Sequence, residues 1–234
     1  MKADRTGQTL VRLTNEHRTK TALAVEALRS AILRGEIAQD QPLTVGRLAQ
    51  QLGMSPTPVR EAMRTLQAEG LVRHEPHHSV SVNQYSEKDI HDIFQLRAQL
   101  ESQAARLAVA RLSDATIAQL EALQRDMRDV AATNDIDGLN RLNVEWHLLI
   151  YQAADNRVLL DLVQHLWKKF MWEGNWIMPG HAVQSLAEHD EMLAAIRARD
   201  ARLIERLMRA HIRGGEKAAL LYLQSRTRRS AGPE

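Results

Sequence analysis

The chain has 234 residues, 44% of them hydrophobic, and a formal net charge of +2 at pH 7. This length and apolar content suffice for two small domains with separate cores. The absence of cysteine excludes a disulfide scaffold and a cysteine-based zinc site, and is compatible with a reducing cytoplasm. No apolar run approaches the ~20 residues of a membrane span, and the N-terminus lacks a signal-peptide core. We therefore expect a soluble, cytoplasmic protein.

Charge is distributed unevenly along the chain. Residues 1–86 carry 11 Lys or Arg and 8 Asp or Glu, whereas residues 87–225 carry 17 and 20. A basic first part followed by an acidic second part is typical of a DNA-binding domain joined to a domain that does not bind DNA. We predict a flexible tail at 1–15, a DNA-binding domain at 16–85, a second domain at 86–225 and a flexible tail at 226–234.

Two helices are predicted before residue 54. The first runs from about Glu16 to Arg34 and is ended by Gly35. Its apolar surface would be supplied by Leu23, Val25, Ala27, Leu28, Ala31 and Ile32. The second lies between Thr44, which can cap its start, and Gly53, which can end it.

The segment from Ser55 to Val72 carries a complete set of helix signals. Ser55 can cap the first free backbone N–H groups, Pro56 stands where a missing N–H costs nothing, and Gly70 can adopt the left-handed conformation that ends a helix. An i, i+3, i+4, i+7 pattern predicts a buried face made of Val59, Ala62, Met63 and Leu66. The opposite, outward face carries Thr57, Arg60 and Arg64.

Two short helices separated by a tight turn predict a helix-turn-helix, whose second helix would enter the DNA major groove. Residues 71–75 and 79–82, on either side of the turn-prone residues 76–78, predict a small β-hairpin wing. The alternative is a two-helix packing element without a role in DNA binding, which the wing and the outward arginines disfavour. The predicted DNA-binding residues are Arg47, Ser55, Thr57, Arg60, Arg64, His77 and His78.

The second domain is predicted to be entirely helical. Residues 86–89 resemble a capping box, so 83–85 is the predicted linker. From there the sequence predicts six helices and no strand, with breaks near 113, 134, 155, 178 and 199. The predicted fold class is therefore mainly α, with an N-terminal winged helix-turn-helix followed by an all-α antiparallel six-helix bundle.

Three helices of the bundle each carry a histidine on the face predicted to be buried. These residues are His147, His189 and His211, and Asn143 lies one turn before the first of them. A single histidine on an apolar face is more often a hydrogen-bonded core residue than a metal ligand. Three buried imidazoles are costly unless their nitrogens are satisfied, and one divalent metal would satisfy all three.

Arg97 and Glu101 form a second polar group on an apolar face. The simpler interpretation is an i, i+4 ion pair. The functional interpretation is that Arg97 grips an anionic effector with two parallel hydrogen bonds. Trp172, Trp176 and His181 flank a break that contains Gly and Pro and could form a lid, although ordinary packing of the tryptophans is the simpler alternative. The predicted effector-binding residues are Arg97, Glu101 and Trp172.

These features resemble a known family. Residues 27–37, the pair Leu48-Ala49 and residues 55–72 resemble the winged helix-turn-helix of GntR-family bacterial transcription factors. Residues 94–101 with Ala104-Ala105, and residues 153–156, are similar to the FCD effector domain of the FadR-type branch. Six helices resemble the smaller, VanR-like version of that domain. The chain differs from the family pattern at Pro56, where an arginine is usual, and at Ser79, where a wing-tip glycine is usual.

The resemblance also implies a metal site. Many FCD domains bind metal through a carboxylate four residues before the first histidine, that histidine, and one histidine on each of the last two helices. Here the carboxylate position is Asn143, whose neutral amide oxygen is a weaker ligand than Asp. The predicted metal ligands are Asn143, His147, His189 and His211, and the expected ion is Zn²⁺, with Ni²⁺ or Mn²⁺ as alternatives.

We therefore expect a transcriptional repressor that acts as a homodimer on palindromic double-stranded operator DNA and responds to a small organic-acid effector. One alternative is a constitutive DNA-binding protein whose bundle serves only dimerisation. A metal-dependent enzyme is less compatible with the sequence, because no Glu or Asp accompanies the histidines in a general-base arrangement such as H-E-x-x-H.

Overall fold

The computed structural model describes residues 19–33, 37, 43–74, 80–83, 85–169, 176, 178 and 180–230. Within them the chain forms nine helices and one two-stranded sheet, which confirms the predicted, mainly α fold class. The elements are α1 (Lys20–Leu33), α2 (Val45–Gln51), α3 (Pro56–Ala68), β1 (Val72–His74), β2 (Val80–Val82), α4 (Glu87–Ala108), α5 (Asp114–Ala132), α6 (Ile136–Gln152), α7 (Arg157–Trp167), α8 (His181–Arg197) and α9 (Ala201–Ser230).

Buried apolar residues form two separate clusters. One is built from residues 24–82 and the other from residues 90–219. The boundary between them falls in the segment where the sequence predicts a linker. Each cluster therefore supplies the core of one structural unit.

The helix-turn-helix forms as its local signals predict. The Thr44 side chain accepts a hydrogen bond from the Arg47 backbone N–H at 3.4 Å and caps α2. Gly53 and Gly70 adopt φ angles of +61° and +78° just after α2 and α3, where a residue with a Cβ would be strained. The predicted stripe of α3 is buried, and it consists of Val59, Ala62, Met63 and Leu66.

One expectation for this region is wrong, and another is confirmed only in part. Ser55 occupies the N-cap position of α3, but its side chain makes no capping hydrogen bond. In α1 the buried stripe is Ala24, Leu28 and Ile32, whereas Leu23 is 42% exposed. The sequence of α1 offers two adjacent apolar stripes, one with Leu23 and one with Leu28 and Ile32. Packing against α3 buries the second stripe.

The wing is an antiparallel hairpin. Val72 pairs with Val82 and His74 with Val80. Leu43 adds a bridge that the sequence did not reveal, since its backbone N–H donates to the Val80 carbonyl at 2.7 Å. The turn, with His77 and His78, lies outside the described residues.

The second unit is a bundle in which α4 packs against α6, α7 and α9, and α8 packs against α5 and α9. The predicted capping box at the start of α4 is present between Ser86 and Asp89. The described residues of this unit contain six helices, while most of 170–179 lies outside them. α9 continues to Ser230, into the segment predicted to be a tail from residue 226. Among the helices that the structure describes, none is long and apolar enough to cross a membrane.

The two glycines of the helix-turn-helix give a matched test. Gly53→Ala should lower the free energy of unfolding by about 1–2 kcal/mol, because an alanine is strained at positive φ. Gly46→Ala, in open space within α2, should raise it by about 0.5–1 kcal/mol through helix propensity. Urea unfolding followed by circular dichroism measures both. Equal stability of the two variants would contradict the turn geometry.

Candidate DNA interface and metal centre

The predicted DNA-facing side chains project from the exposed surface of the helix-turn-helix. Thr57, Arg60 and Arg64 are exposed on α3, and Arg47 is exposed on α2. Ser55 is exposed at the start of α3, and its side chain is not used for capping. Arg64 forms an exposed ion pair with Glu61 at 2.9 Å, which costs little to exchange for a phosphate.

The three predicted histidines meet in the core of the bundle. His147 comes from α6, His189 from α8 and His211 from α9, and all three are buried. One ligand nitrogen from each lies within 4.8 Å of the others. The ring centroids are 5.0–5.2 Å apart. Three helices therefore bring three potential donors to one point.

Hydrogen bonds orient two of these imidazoles. His211 Nδ1 lies 2.7 Å from Glu188 Oε2, and His147 Nδ1 lies 3.0 Å from the Tyr151 hydroxyl. When Nδ1 carries the proton in each bond, Nε2 presents its lone pair, as a metal ligand must. Burial alone would raise the pKa of Glu188, but the hydrogen bond from His211 lowers it below its ordinary value, so Glu188 stays a carboxylate.

His189 is held by packing alone. Its ring stacks on Trp146 at 4.1 Å with an interplanar angle of 2°. Neither ring nitrogen has a hydrogen-bond partner among the residues that the structure describes. Burial lowers the pKa of His189, and of His147, well below its ordinary value, and the neighbouring histidines act in the same direction. Both rings are therefore neutral, which is the form that binds metal.

Asn143 reaches the same region. It lines a cavity together with His147, His211, Ser185 and Arg97. Asn143 Oδ1 and Ser185 Oγ are buried and have no hydrogen-bond partner within the described ranges. The cavity measures about 40 Å³, and roughly 10–15 Å³ is needed to hold one water molecule. Of the three histidines, His147 and His211 line this cavity, which has room for about three water-sized atoms.

The donor set fits a divalent first-row metal. Three imidazoles on separate helices, together with the amide oxygen of Asn143, match the nitrogen and oxygen ligands that such ions prefer. The unsatisfied nitrogens of His189 and the unsatisfied Oδ1 of Asn143 are the atoms that a metal would satisfy.

Arg97 and Glu101 form the i, i+4 ion pair that was the simpler interpretation. Arg97 Nε lies 2.6 Å from Glu101 Oε1, and both side chains are buried. Glu101 also accepts hydrogen bonds from the Tyr151 hydroxyl at 2.8 Å and from Trp167 Nε1 at 3.0 Å. Burial and the charge of Glu101 raise the pKa of Tyr151 well above its ordinary value, so the phenol remains a donor.

The two members of this pair differ in their access to the cavity. Arg97 lines it, whereas Glu101 lies behind the cavity wall and holds Arg97, Tyr151 and Trp167. The predicted contact Trp172 lies outside the described residues. Trp176 and His181 do line the cavity, with ring centroids 5.4 Å apart. Burial lowers the pKa of His181 to about 4.

Sequence reasoning missed Trp167, Tyr151 and Glu188. Tyr151 shares the inward face of α6 with His147, and that spacing was available as a signal. Trp167 and Glu188 act on residues 66 and 23 positions away in the chain. Only the packed structure brings those pairs together.

Comparison with known proteins identifies the class. The family model of the FCD domain matches residues 92–214, and the model described as bacterial regulatory proteins, gntR family, matches residues 20–82. The chain therefore belongs to the GntR family of bacterial regulatory proteins and carries an FCD domain. Its N-terminal unit is thus of a DNA-binding type, and the family consists of transcription regulators rather than enzymes.

Individual relatives span most of the chain. The HTH-type transcriptional regulator McbR of Escherichia coli is 26% identical over 191 residues, which cover 79% of this chain and 86% of McbR. The HTH-type transcriptional repressor GlaR of Escherichia coli is 26% identical over 195 residues, covering 79% and 89%. A solved structure of Escherichia coli McbR matches with a TM-score of 0.73 at 24% identity and covers 89% of this chain and all of that one. This likeness supports the fold.

The buried ion pair gives a stability test. Glu101→Gln should lower the free energy of unfolding by about 3–5 kcal/mol, because the neutral amide removes the buried carboxylate that pairs with Arg97. The control is Asp92→Asn, which breaks the exposed pair with Lys88 in the same helix and should leave stability almost unchanged. Chemical denaturation of both variants compares them. A Glu101→Gln variant as stable as the control would contradict the structural role of the pair.

Proposed function

We propose that the protein is a cytoplasmic, metabolite-responsive repressor, in which a small carboxylate-bearing effector bound beside a divalent metal in the bundle controls operator affinity. The observation that carries the proposal is the meeting of three buried imidazoles from three helices, one of them without a hydrogen-bond partner on either nitrogen within the described residues. A purely structural bundle would gain nothing from burying those nitrogens unsatisfied.

Asn143, His147, His189 and His211 would hold the metal. The bound cation would supply positive charge at the end of the cavity and keep coordination positions for an effector carboxylate. Glu188 and Tyr151 would fix the orientation of His211 and His147 through the hydrogen bonds already present. Because Asn143 is neutral, the site carries no ligand charge of its own, which favours an anionic effector.

Arg97, which lines the same cavity, would bind the effector carboxylate. Its guanidinium pairs with Glu101, and because a guanidinium carries five N–H donors it would bind the incoming carboxylate as well. Trp167, Trp176 and His181 complete the wall. The small volume of the cavity favours an effector of few atoms, or requires the wall to move when a larger one binds.

A second copy of the chain is the partner that the bundle surface favours. Leu96 on α4 is 50% exposed, and Val158 and Leu162 on α7 are 70% and 49% exposed. These two helices pack against each other. Apolar side chains on adjoining helices would be covered in a two-fold interface. A two-fold dimer would recognise a palindromic operator, with α3 of each copy in a major groove.

DNA recognition gives the third test. Arg60→Ala should weaken binding by about 1–3 kcal/mol per half-site, because Arg60 is exposed near the start of α3 and would contact a base edge or an adjacent phosphate. Binding is measured by fluorescence anisotropy on a duplex that the wild-type protein selects from a random pool. The control is Arg202→Ala, an exposed arginine on α9 in the other structural unit. If both variants changed the affinity equally, the placement of Arg60 and α3 in the major groove would be contradicted.

The same assay separates base contacts from phosphate contacts. Arg64→Ala should reduce the slope of log affinity against log salt by about 1 and leave sequence preference nearly unchanged. An unchanged slope would place Arg64 off the DNA.

Metal content gives the fourth test. Protein purified without chelator should carry one divalent ion per chain, and His189→Ala or His211→Ala should abolish stoichiometric metal. Asn143→Asp should bind more tightly, since a charged oxygen replaces an amide. Elemental analysis before and after zinc reconstitution measures all four proteins. If the parent and the Asn143→Asp variant both remain metal-free after reconstitution, the proposed metal centre is wrong.

A further inference from the structure

The end of the recognition helix touches the end of a bundle helix. Glu69 and Gly70 follow α3 directly, and Lys168 and Lys169 follow α7. Lys168 Nζ lies 3.9 Å from Glu69 Oε1. Lys169 Nζ lies close to Gly70, since a Cβ added to Gly70 would be 3.3 Å from this nitrogen. We name these four residues the junction.

The recognition-helix side of the junction is held firmly. The Gly70 carbonyl accepts hydrogen bonds from Asn83 Nδ2 at 2.8 Å and from the Tyr85 hydroxyl at 3.1 Å. Glu69 also pairs with Arg29 of α1 at 2.5 Å. Because Glu69 and Gly70 are fixed to the rest of the first unit, a displacement of the two lysines would shift the end of α3 itself.

On the bundle side, a series of buried hydrogen bonds leads from His147 to the junction. His147 Nδ1 contacts the Tyr151 hydroxyl, which donates to Glu101 Oε2. Glu101 Oε1 accepts from Trp167 Nε1, and Trp167 directly precedes Lys168. Three side-chain contacts of 2.8–3.0 Å therefore connect a proposed metal ligand to the residue before the junction. We name this chain the relay.

The relay is suited to pass on a change because Glu101, which joins its two halves, cannot lose a donor cheaply. Glu101 is fully buried, and a buried carboxylate without donors carries a large desolvation cost. When an effector draws on Arg97 or a metal fixes His147, the donors around Glu101 must rearrange together. Of the donors around Glu101, Trp167 is the one that directly precedes Lys168 of the junction.

We propose that the relay and the junction transmit the state of the metal and effector site to the recognition helix. This inference rests on the proposed function and specifies how the site would regulate DNA binding. Metal occupancy at His147 biases the position of Tyr151 and Glu101, Trp167 follows Glu101, and Lys168 and Lys169 carry the shift to Glu69 and Gly70. The two ends of the path are distinct sites whose affinities must then change reciprocally.

The test measures operator affinity with and without zinc. For the wild-type protein, saturating zinc should change the Kd for the selected duplex at least threefold. In the double variant Lys168→Gln, Lys169→Gln, zinc should bind as tightly as in the wild type, but its effect on the Kd should fall below 1.5-fold. The control Lys217→Gln, an exposed lysine of α9, should keep the full effect.

Two outcomes would overturn the inference in this assay. One is zinc binding to the wild type without any change in operator affinity. The other is a zinc effect in the double variant as large as in the control. If the wild type takes up no zinc, the proposed function fails, and a metal-free experiment then decides the inference separately.

That experiment is hydrogen exchange in metal-free protein. Trp167→Phe keeps an aromatic ring but removes the N–H that bonds Glu101. The inference predicts at least threefold faster exchange of the Gly70 and Leu71 amides, which bond the Gln67 and Leu66 carbonyls at the end of α3. Lys217→Gln should not change it. Unchanged exchange in Trp167→Phe would refute a mechanical link between the bundle and the recognition helix.

Discussion

Glu101 is the buried charge around which the bundle is organised. It is fully buried on α4, and its three partners are Arg97 on the same helix, Tyr151 on α6 and Trp167 at the end of α7. Each of those partners has a second role, because Arg97 and Trp167 line the cavity and Tyr151 orients His147. A buried carboxylate is tolerated only when its donors are fixed. The cost of burying Glu101 therefore constrains three helices and, through them, one wall of the cavity.

The histidine cluster adds two further helices to this arrangement. His189 and His211 come from α8 and α9, and these two helices also supply His181, Ser185 and His211 to the cavity lining. His211 is oriented by its hydrogen bond to Glu188, and both nitrogens of His189 lack a hydrogen-bond partner within the described residues. A cation bound between them would satisfy these nitrogens. The family relationship establishes a DNA-binding regulator. A small anion bound in the cavity, as proposed above, would act on that regulator by favouring one of its conformations.

Much of this site was predictable from periodicity, since a histidine on an apolar stripe is conspicuous in a sequence. His147, His189 and His211 were found in this way, as was the buried face of α3. Glu188 and Trp167 were not predicted. They lie beside the apolar stripes of their helices, and their roles depend on hydrogen bonds to His211 and Glu101, which are distant in the sequence. The buried face of α1 was predicted correctly at Leu28 and Ile32 but too broadly, since it also included Leu23. Leu23 and Leu28 belong to different faces, and only tertiary packing decides between them.

The central claim is that a single metal ion binds between His147, His189 and His211. The most direct measurement is an anomalous difference map, recorded at the zinc absorption edge, from crystals of the zinc-loaded protein. We expect one strong peak per chain at the centre of the three imidazoles, within bonding distance of a nitrogen from each. A map with peaks only at surface histidines such as His91 and His165, with the three rings unaltered, would contradict it.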